Sequence, residues 1–406
     1  MADDSEKTSQ VRAPLRTKIS TVRLPKFATL LAEVIAQNSI SSPEKVWDNS
    51  NLDVITRLAA WFKKLGFSVE VQEIPNAPGK YNMLACLGEG SAGLVLSGHS
   101  DTVPFDQARW ASDPFHVRER DHRFYGLGSC DMKGFFPIIV EALRGLEGAE
   151  LRQPIIVLAT ADEESSMAGA RALVKQGNVQ ARAALIGEPT NLTPVNMHKG
   201  IMMQKVRVKG QAGHSSNPAL GKSALEGLYY FVAEVLTYRS QLQARHHNSM
   251  FEVSEPTLNL GHVHGGDSPN RICGHCEMSF DLRPLPGMSI ESLEQELHGL
   301  AKKVKVEQGI EVVIENLVEP VPAFQSEAHS ELVTLCEQLA GQSAKTVAFA
   351  TEAPFMQQMG MDTVIMGAGS IDQAHQPNEF LELNQIKPMA KVIQQLIERY
   401  CIVKSV

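Results

Sequence analysis

The residues best suited to chemistry lie where apolar runs of the chain stop. The run Gly93-Leu-Val-Leu-Ser-Gly-His99-Ser-Asp101 places a histidine and an aspartate two residues apart, just after a buried-looking strand. In extended backbone, residues i and i+2 project the same way. A histidine that binds metal through one ring nitrogen commonly gives its other N–H to a carboxylate, so Asp101 is suited to hold His99 in the right tautomer. The plainer reading is a strand-end histidine beside a solvated aspartate. In Tyr125-Gly-Leu-Gly-Ser-Cys-Asp131-Met-Lys-Gly134, glycines surround an aspartate that directly precedes a helix. Asp131 there is either a helix N-cap or a ligand. The Walker A spacing is absent and no GxGxxG follows a strand, which argues against a phosphate cradle.

A third apolar run, Ile155-Ile-Val-Leu-Ala-Thr-Ala-Asp162-Glu163-Glu164, ends in three consecutive acids. Like charges clustered at a buried strand end are costly without compensating cations, and a metal is the economical compensation. Neighbouring residues project differently, so Glu163 and Glu164 can divide the work between proton transfer and metal binding. Two further segments, Ala183-Ala-Leu-Ile-Gly187-Glu188-Pro-Thr and Gly367-Ala-Gly-Ser-Ile-Asp-Gln-Ala-His375-Gln-Pro-Asn, add Glu188 and His375. Together the strand ends supply two histidines and four or five carboxylates, the N/O donor mixture expected of zinc or another borderline divalent ion.

The elements that must position these residues follow from periodicity. Helices predicted at Leu24 to Ile35, Leu52 to Leu65, Gly134 to Leu146 and Met167 to Lys175 accompany strands at Ser68 to Glu73, Asn82 to Leu87, Gly93 to Ser97, Ile155 to Thr160 and Ala183 to Ile186. That alternation is the α/β signature of a sheet covered by helices. After Pro189 a self-contained set appears: strand Met202 to Lys209, helix Ser223 to Arg239, strands Thr257 to Val263 and Cys276 to Leu282, helix Ile290 to Val306 and strand Ile310 to Glu315. Its order, βαββαβ, is that of a ferredoxin-like domain. Helix Glu331 to Leu339, strand Thr363 to Met366 and helix Gln385 to Tyr400 then resume the first pattern. The expected organisation is a frayed tail over 1–20, a first α/β domain part over 21–190, an inserted ferredoxin-like domain over 191–318 and the second α/β part over 319–406.

Taken in order, these segments resemble the M20 metallopeptidases over nearly the whole chain after residue 25. Further stretches carry the resemblance: Gln211-Ala-Gly-His-Ser-Ser216, Asn270-Arg-Ile-Cys, Asp281-Leu-Arg-Pro-Leu-Pro-Gly287, Thr351-Glu-Ala-Pro-Phe355 and Ala374-His-Gln-Pro-Asn378. The resemblance implies a zinc-peptidase-like catalytic domain with two zinc ions per subunit, cobalt being a substitute. It assigns His99 and Glu188 to one ion, Glu164 and His375 to the other, and Asp131 to both, with Asp101 orienting His99 and Glu163 as general base. A cis peptide bond after Asp131 is implied as well, although Met132 and not proline follows. The inserted domain is then a lid that pairs two subunits into a homodimer, and His214 reaches the partner's site. Without the resemblance, His214 reads as a loop residue. Within the family the segments are most similar to the acetylornithine deacetylases, which implies cytoplasmic hydrolysis of N2-acetyl-L-ornithine to L-ornithine and acetate in arginine biosynthesis. For that substrate Arg283 is the candidate for the α-carboxylate, because a guanidinium fork matches a carboxylate. Glu352 is the candidate for the ammonium, with a supporting role beside the metal residues as its alternative, and Asn270 is a further substrate-binding candidate. The same group is associated with glutathione, for which the chain has no readable site. Other M20 activities (succinyl-diaminopimelate desuccinylase, aminoacylase, dipeptidase) would use the same centre. A non-catalytic relative would have lost a ligand or base, and His99, Asp131, Glu163, Glu164, Glu188 and His375 are all present.

Several signals point elsewhere and are set aside. Cys273-Gly-His-Cys276 is a single CxxC on a predicted strand, and a structural zinc site needs two more ligands. His262-Val-His264 has no nearby carboxylate. The six cysteines lack the spacing of a disulfide framework, so reduced thiols are expected. A formal net charge of -8 argues against a nucleic-acid partner and suits a cationic substrate. No apolar run approaches the roughly 18 to 20 residues that span a bilayer, and Met1 to Lys18 has no apolar leader core.

Overall fold

The computed structural model describes residues 17–402. Its larger sheet has the strand order Ser68–Glu73, Tyr81–Leu87, Ile155–Thr160, Leu94–His99, Ala183–Ile186, Asp362–Ile365, Val195–His198 and Phe324–Gln325, with Lys345–Val347 beside Val195–His198. The central strands Ile155–Thr160, Leu94–His99, Ala183–Ile186 and Asp362–Ile365 run parallel. They read as unbroken apolar runs because both faces of the sheet are covered. Successive residues of one strand serve opposite faces: Leu94 and Leu96 join one hydrophobic core, and Val95 joins another. Helices Phe27–Ile35, Leu52–Lys64, Phe135–Arg144 and Leu383–Tyr400 pack into the first core, and Ala168–Gln176 and Ala353–Gln358 contribute to the packing on the opposite side. Parallel strands bring their C-terminal ends to one edge, which is where open α/β sheets bind ligands.

The inserted unit has its own four-stranded sheet, in the order Thr257–Gly265, His275–Arg283, Met202–Lys209, Glu311–Asn316, with every pair antiparallel. Helices Ala224–Arg245 and Ile290–Gln308 lie over it and share a separate core containing Val206, Phe231, Phe280 and Leu297. Strict alternation of buried residues with half-buried or exposed ones along Met202–Lys209 reflects a sheet with one face covered. This is the expected βαββαβ arrangement, so the fold is a two-part α/β structure with a ferredoxin-like insertion.

The differences have local causes. The first helix begins at Phe27, because Pro25 biases Leu24 away from helical backbone. The helix expected to end at Arg239 continues to Arg245, since Leu242 extends its buried stripe. Of the segment expected as a frayed tail, residues 1–16 lie outside the described residues. Residues 17–20, in contrast, are tied down: Lys18 bridges Glu150, Ile19 N–H donates to Ala149 O at 3.0 Å, and Ile19 is buried. Among the described residues, no helix is long and apolar enough to cross a membrane.

Candidate metal centre

His99, the last residue of Leu94–His99, is buried at the ligand edge of the large sheet. Its Nδ1 lies 3.1 Å from the main-chain oxygen of Asp101. A carbonyl oxygen only accepts, so Nδ1 carries the proton and Nε2 faces the centre. The carboxylate of Asp101 is farther from Nδ1, at 3.7 Å. It accepts the main-chain N–H of Glu163 at 3.3 Å and of Glu164 at 3.1 Å. The contact of Asp101 with the His99 ring is thus made by its peptide oxygen, and its side chain holds the acidic turn. Burial pushes Asp101 up to about 6, against the pull of His99.

Asp131 stands between the two imidazoles. Its Oδ1 is 3.0 Å from His99 Nε2, and its Oδ2 is 3.5 Å from His375 Nε2. Gly134, not Asp131, caps helix Phe135–Arg144, so the simple N-cap reading fails. The Asp131–Met132 peptide bond is cis. His375 Nε2 also lies 3.0 Å from Glu164 Oε2. Donor atoms of His99, Asp131 and Glu164 fall within 4.8 Å of one another, as do those of His99, Glu163 and Glu188. Proximity alone does not separate Glu163 from Glu188, so the division between base and ligand rests on the family pattern. Burial and the neighbouring carboxylates hold Glu163 and Glu188 well above the usual carboxylate range. Burial lowers the His99 imidazole, but Asp131, Glu163 and Asp101 outweigh it and hold the ring well above its ordinary value.

The third acid of the cluster behaves differently from the expectation that a metal compensates all three. Asp162 adopts a left-handed backbone, φ 62°, and turns away from the imidazoles. Hydroxyls of Ser41 and Ser166 donate to it, and Lys80 Nζ, itself buried, sits 3.4 Å away and 2.6 Å from Asp48. Nothing local in the sequence distinguishes Lys80, 82 residues before Asp162, from a surface lysine.

Glu352 is 1% exposed at the start of helix Ala353–Gln358. Ser97 and Thr160 flank it, His99 and Asp101 act on it electrostatically, and burial pushes it up to about 7. This placement suits a supporting role beneath the centre better than contact with a substrate ammonium. His214, Asn270 and Arg283 lie on the inserted unit, and none of them joins the cluster. His214 is exposed on a two-residue strand, Gly213–His214, paired with Arg271–Ile272. Its Nδ1 accepts the main-chain N–H of Ser216 at 3.2 Å, which leaves the proton on Nε2. Asn270 accepts from Ser268 at 2.7 Å. Arg283 Nε pairs with Asp281 at 2.7 Å. Cys273 and Cys276 are buried free thiols, and His262 and His264 are exposed on strand Thr257–Gly265. None of these four is in a metal-competent cluster among the described residues.

A mixed α/β sheet with a parallel centre and an inserted antiparallel domain, and a His/Asp/Glu cluster at the C-terminal edge of the parallel strands, define a metal-binding hydrolase. The chain belongs to peptidase family M20/M25/M40, whose model matches residues 95–399. Its fold is similar to that of a tripeptidase from Staphylococcus aureus, with 19% identity over 92% of this chain and 98% of the other and a TM-score of 0.70. It is also similar to an M20 family metallo-carboxypeptidase from Sulfolobus solfataricus, with 17% identity, 93% and 99% coverage and a TM-score of 0.71. A dinuclear metal-binding M20 peptidase from Bacillus subtilis matches at 15% identity, 91% and 97% coverage and a TM-score of 0.61.

Proposed function

We propose that this chain is a cytoplasmic two-zinc amidohydrolase that converts N2-acetyl-L-ornithine to L-ornithine and acetate in arginine biosynthesis. The carrying observation is the Asp131 carboxylate, with one oxygen toward His99 and the other toward His375. A donor set of two imidazoles and three or four carboxylates, without thiolate, fits two borderline divalent ions. His99 and Glu188 would hold one, Glu164 and His375 the other, and Asp131 both. When bound, such ions acidify a water toward a pKa of about 7 and polarise the amide carbonyl. Glu163 takes the proton of the attacking water and returns it to the departing amine, a task suited to a carboxyl whose proton affinity burial has raised. The acetylornithine assignment is supported by the ordered motif segments. Fold similarity to a tripeptidase favours a second reading, peptide hydrolysis at the same centre. Purified protein, analysed for metal and assayed on acetylornithine, other N-acyl amino acids, succinyl-diaminopimelate and di- and tripeptides, tests both. Preference for a peptide would reassign the substrate, and protein that takes up no zinc or cobalt would remove the mechanism.

The same reading makes the inserted unit a dimerisation domain whose His214 serves the partner's centre and stabilises the oxyanion. Its surface position outside the cluster and the exposed Leu220, Leu225, Tyr229 and Tyr230 support this. Mixing inactive His214→Ala and Glu163→Ala subunits should restore about a quarter of wild-type activity, since half the dimers are mixed and each has one complete site. No recovery on mixing, or a fully active monomer, would overturn the arrangement.

A further inference from the structure

Glu379 follows the segment that carries His375 and was not singled out by any motif. It is 2% exposed, and its carboxylate reaches the other metal-site loop. Oε1 accepts the main-chain N–H of Cys130 at 2.8 Å and of Asp131 at 2.9 Å, and Oε2 accepts that of Gly128 at 2.9 Å. The Glu379 main-chain oxygen accepts the N–H of Gly126 at 3.0 Å. Strand Phe380–Glu382 then pairs antiparallel with Arg123–Tyr125, the strand that leads into the Asp131 loop. Lys133, wholly buried, faces Glu379 and Asp101, whose pull only partly offsets the burial that brings its ammonium down to about 7, and its Nζ donates to Gln37 O at 3.0 Å.

Three N–H groups converging on one buried carboxyl group fix a loop's orientation far more tightly than a single bond, because each directional contact constrains a different peptide unit. Gly128, with φ 83°, lets the loop turn so that its N–H points inward, and a side chain there would strike Thr102 and Lys133. The loop so held is the one from which Asp131 projects between His99 and His375. We propose that Glu379 is a positioning residue: a clamp that sets the Asp131 carboxylate between the two imidazoles before metal binds, and ties that carboxylate to the loop bearing His375. The clamp couples the two halves of the centre, so a change at Glu379 weakens zinc binding without touching a ligand. This inference rests on the metal reading of the cluster.

The test uses the full chain, stripped of metal and titrated with zinc against a competing chelator. Glu379→Gln keeps the size of the side chain but turns an NH2 group toward N–H donors. It should bind zinc 10- to 100-fold more weakly than wild type, on the order found when residues behind metal ligands are changed, with kcat reduced and KM within about twofold. Glu379→Asp keeps the charge but falls one methylene short, and it should lie between the two. A purely structural residue would lower the melting temperature and leave zinc affinity and kcat of the folded protein intact, and that outcome overturns the proposal. Should the variants fail to fold, hydrogen exchange on metal-free wild type decides: slow exchange at Gly128, Cys130 and Asp131 supports the clamp, and fast exchange overturns it. Wild-type protein that binds no zinc would fail the metal reading itself, whereas equal binding by wild type and Glu379→Gln would fail only this inference.

Discussion

The side chain of Asp101 holds the peptide N–H of Glu164 at 3.1 Å, so the aspartate two residues beyond the first histidine sets the turn that presents the acidic pair. Both Asp101 oxygens are spent on N–H donors there. Asp101→Asn retains one acceptor and turns an NH2 against the other N–H. We expect kcat/KM to fall on the order of 100-fold, about 3 kcal/mol of transition-state stabilisation. Steady-state kinetics on the purified variant measures this. A loss below threefold would show that the turn holds itself.

Glu163 and Glu164 should separate by metal content. If Glu163 is the base proposed above, Glu163→Ala lowers kcat by a factor on the order of 100 to 10,000 with zinc retained. Glu164→Ala removes a neighbour that lies 3.0 Å from His375 and should lose zinc. Atomic absorption on both proteins decides, and equal depletion would merge the two roles.

Glu352 is tested by a pair of substrates. A contact with the substrate ammonium requires Glu352→Gln to lose kcat/KM selectively on acetylornithine, on the order of 2 to 3 kcal/mol relative to acetylmethionine. Burial among Ser97, Thr160 and His99 predicts similar losses on both. A selective loss would restore the direct role.

His198 gives the fold a pH dependence away from the centre. Buried at the end of Val195–His198, its Nδ1 donates to Lys199 O at 2.8 Å and its Nε2 accepts the Thr351 N–H at 3.3 Å. Burial pulls the imidazole down to about 4 from an ordinary value of 6.5. Above pH 6.5 the ring is neutral in both folded and unfolded chains and costs nothing. Between pH 6.5 and 4 only the unfolded chain takes the proton, so stability falls with pH, by about 2 kcal/mol at pH 5. Thermal unfolding at pH 7 and pH 5 should show a smaller drop for His198→Gln than for wild type. Parallel drops would place the titration elsewhere.

Much of this protein was legible in its residues alone. The strands Leu94–His99, Ile155–Thr160 and Ala183–Ile186 announce themselves as short apolar runs because parallel strands are buried on both faces, and acids or a histidine after such runs stand out against them. The inserted βαββαβ unit is equally visible, since alternation in one stretch and helical spacing in the next are local patterns. What tertiary structure alone decided is which groups meet. Asp162 turned out to belong with Lys80 and two serines, Asp101 to hold His99 through a carbonyl oxygen, and Glu379 to hold the Asp131 loop. Each pairing depends on sheet order and on a strand-end turn, and neither leaves a trace in local periodicity. His375 and Glu164, 211 residues apart, become neighbours only when strand Asp362–Ile365 adds beside Ala183–Ile186 and delivers the His375 loop to the shared edge. Residue types and strand ends specify the chemistry that is available, and the long-range order of the sheet selects which groups carry it out.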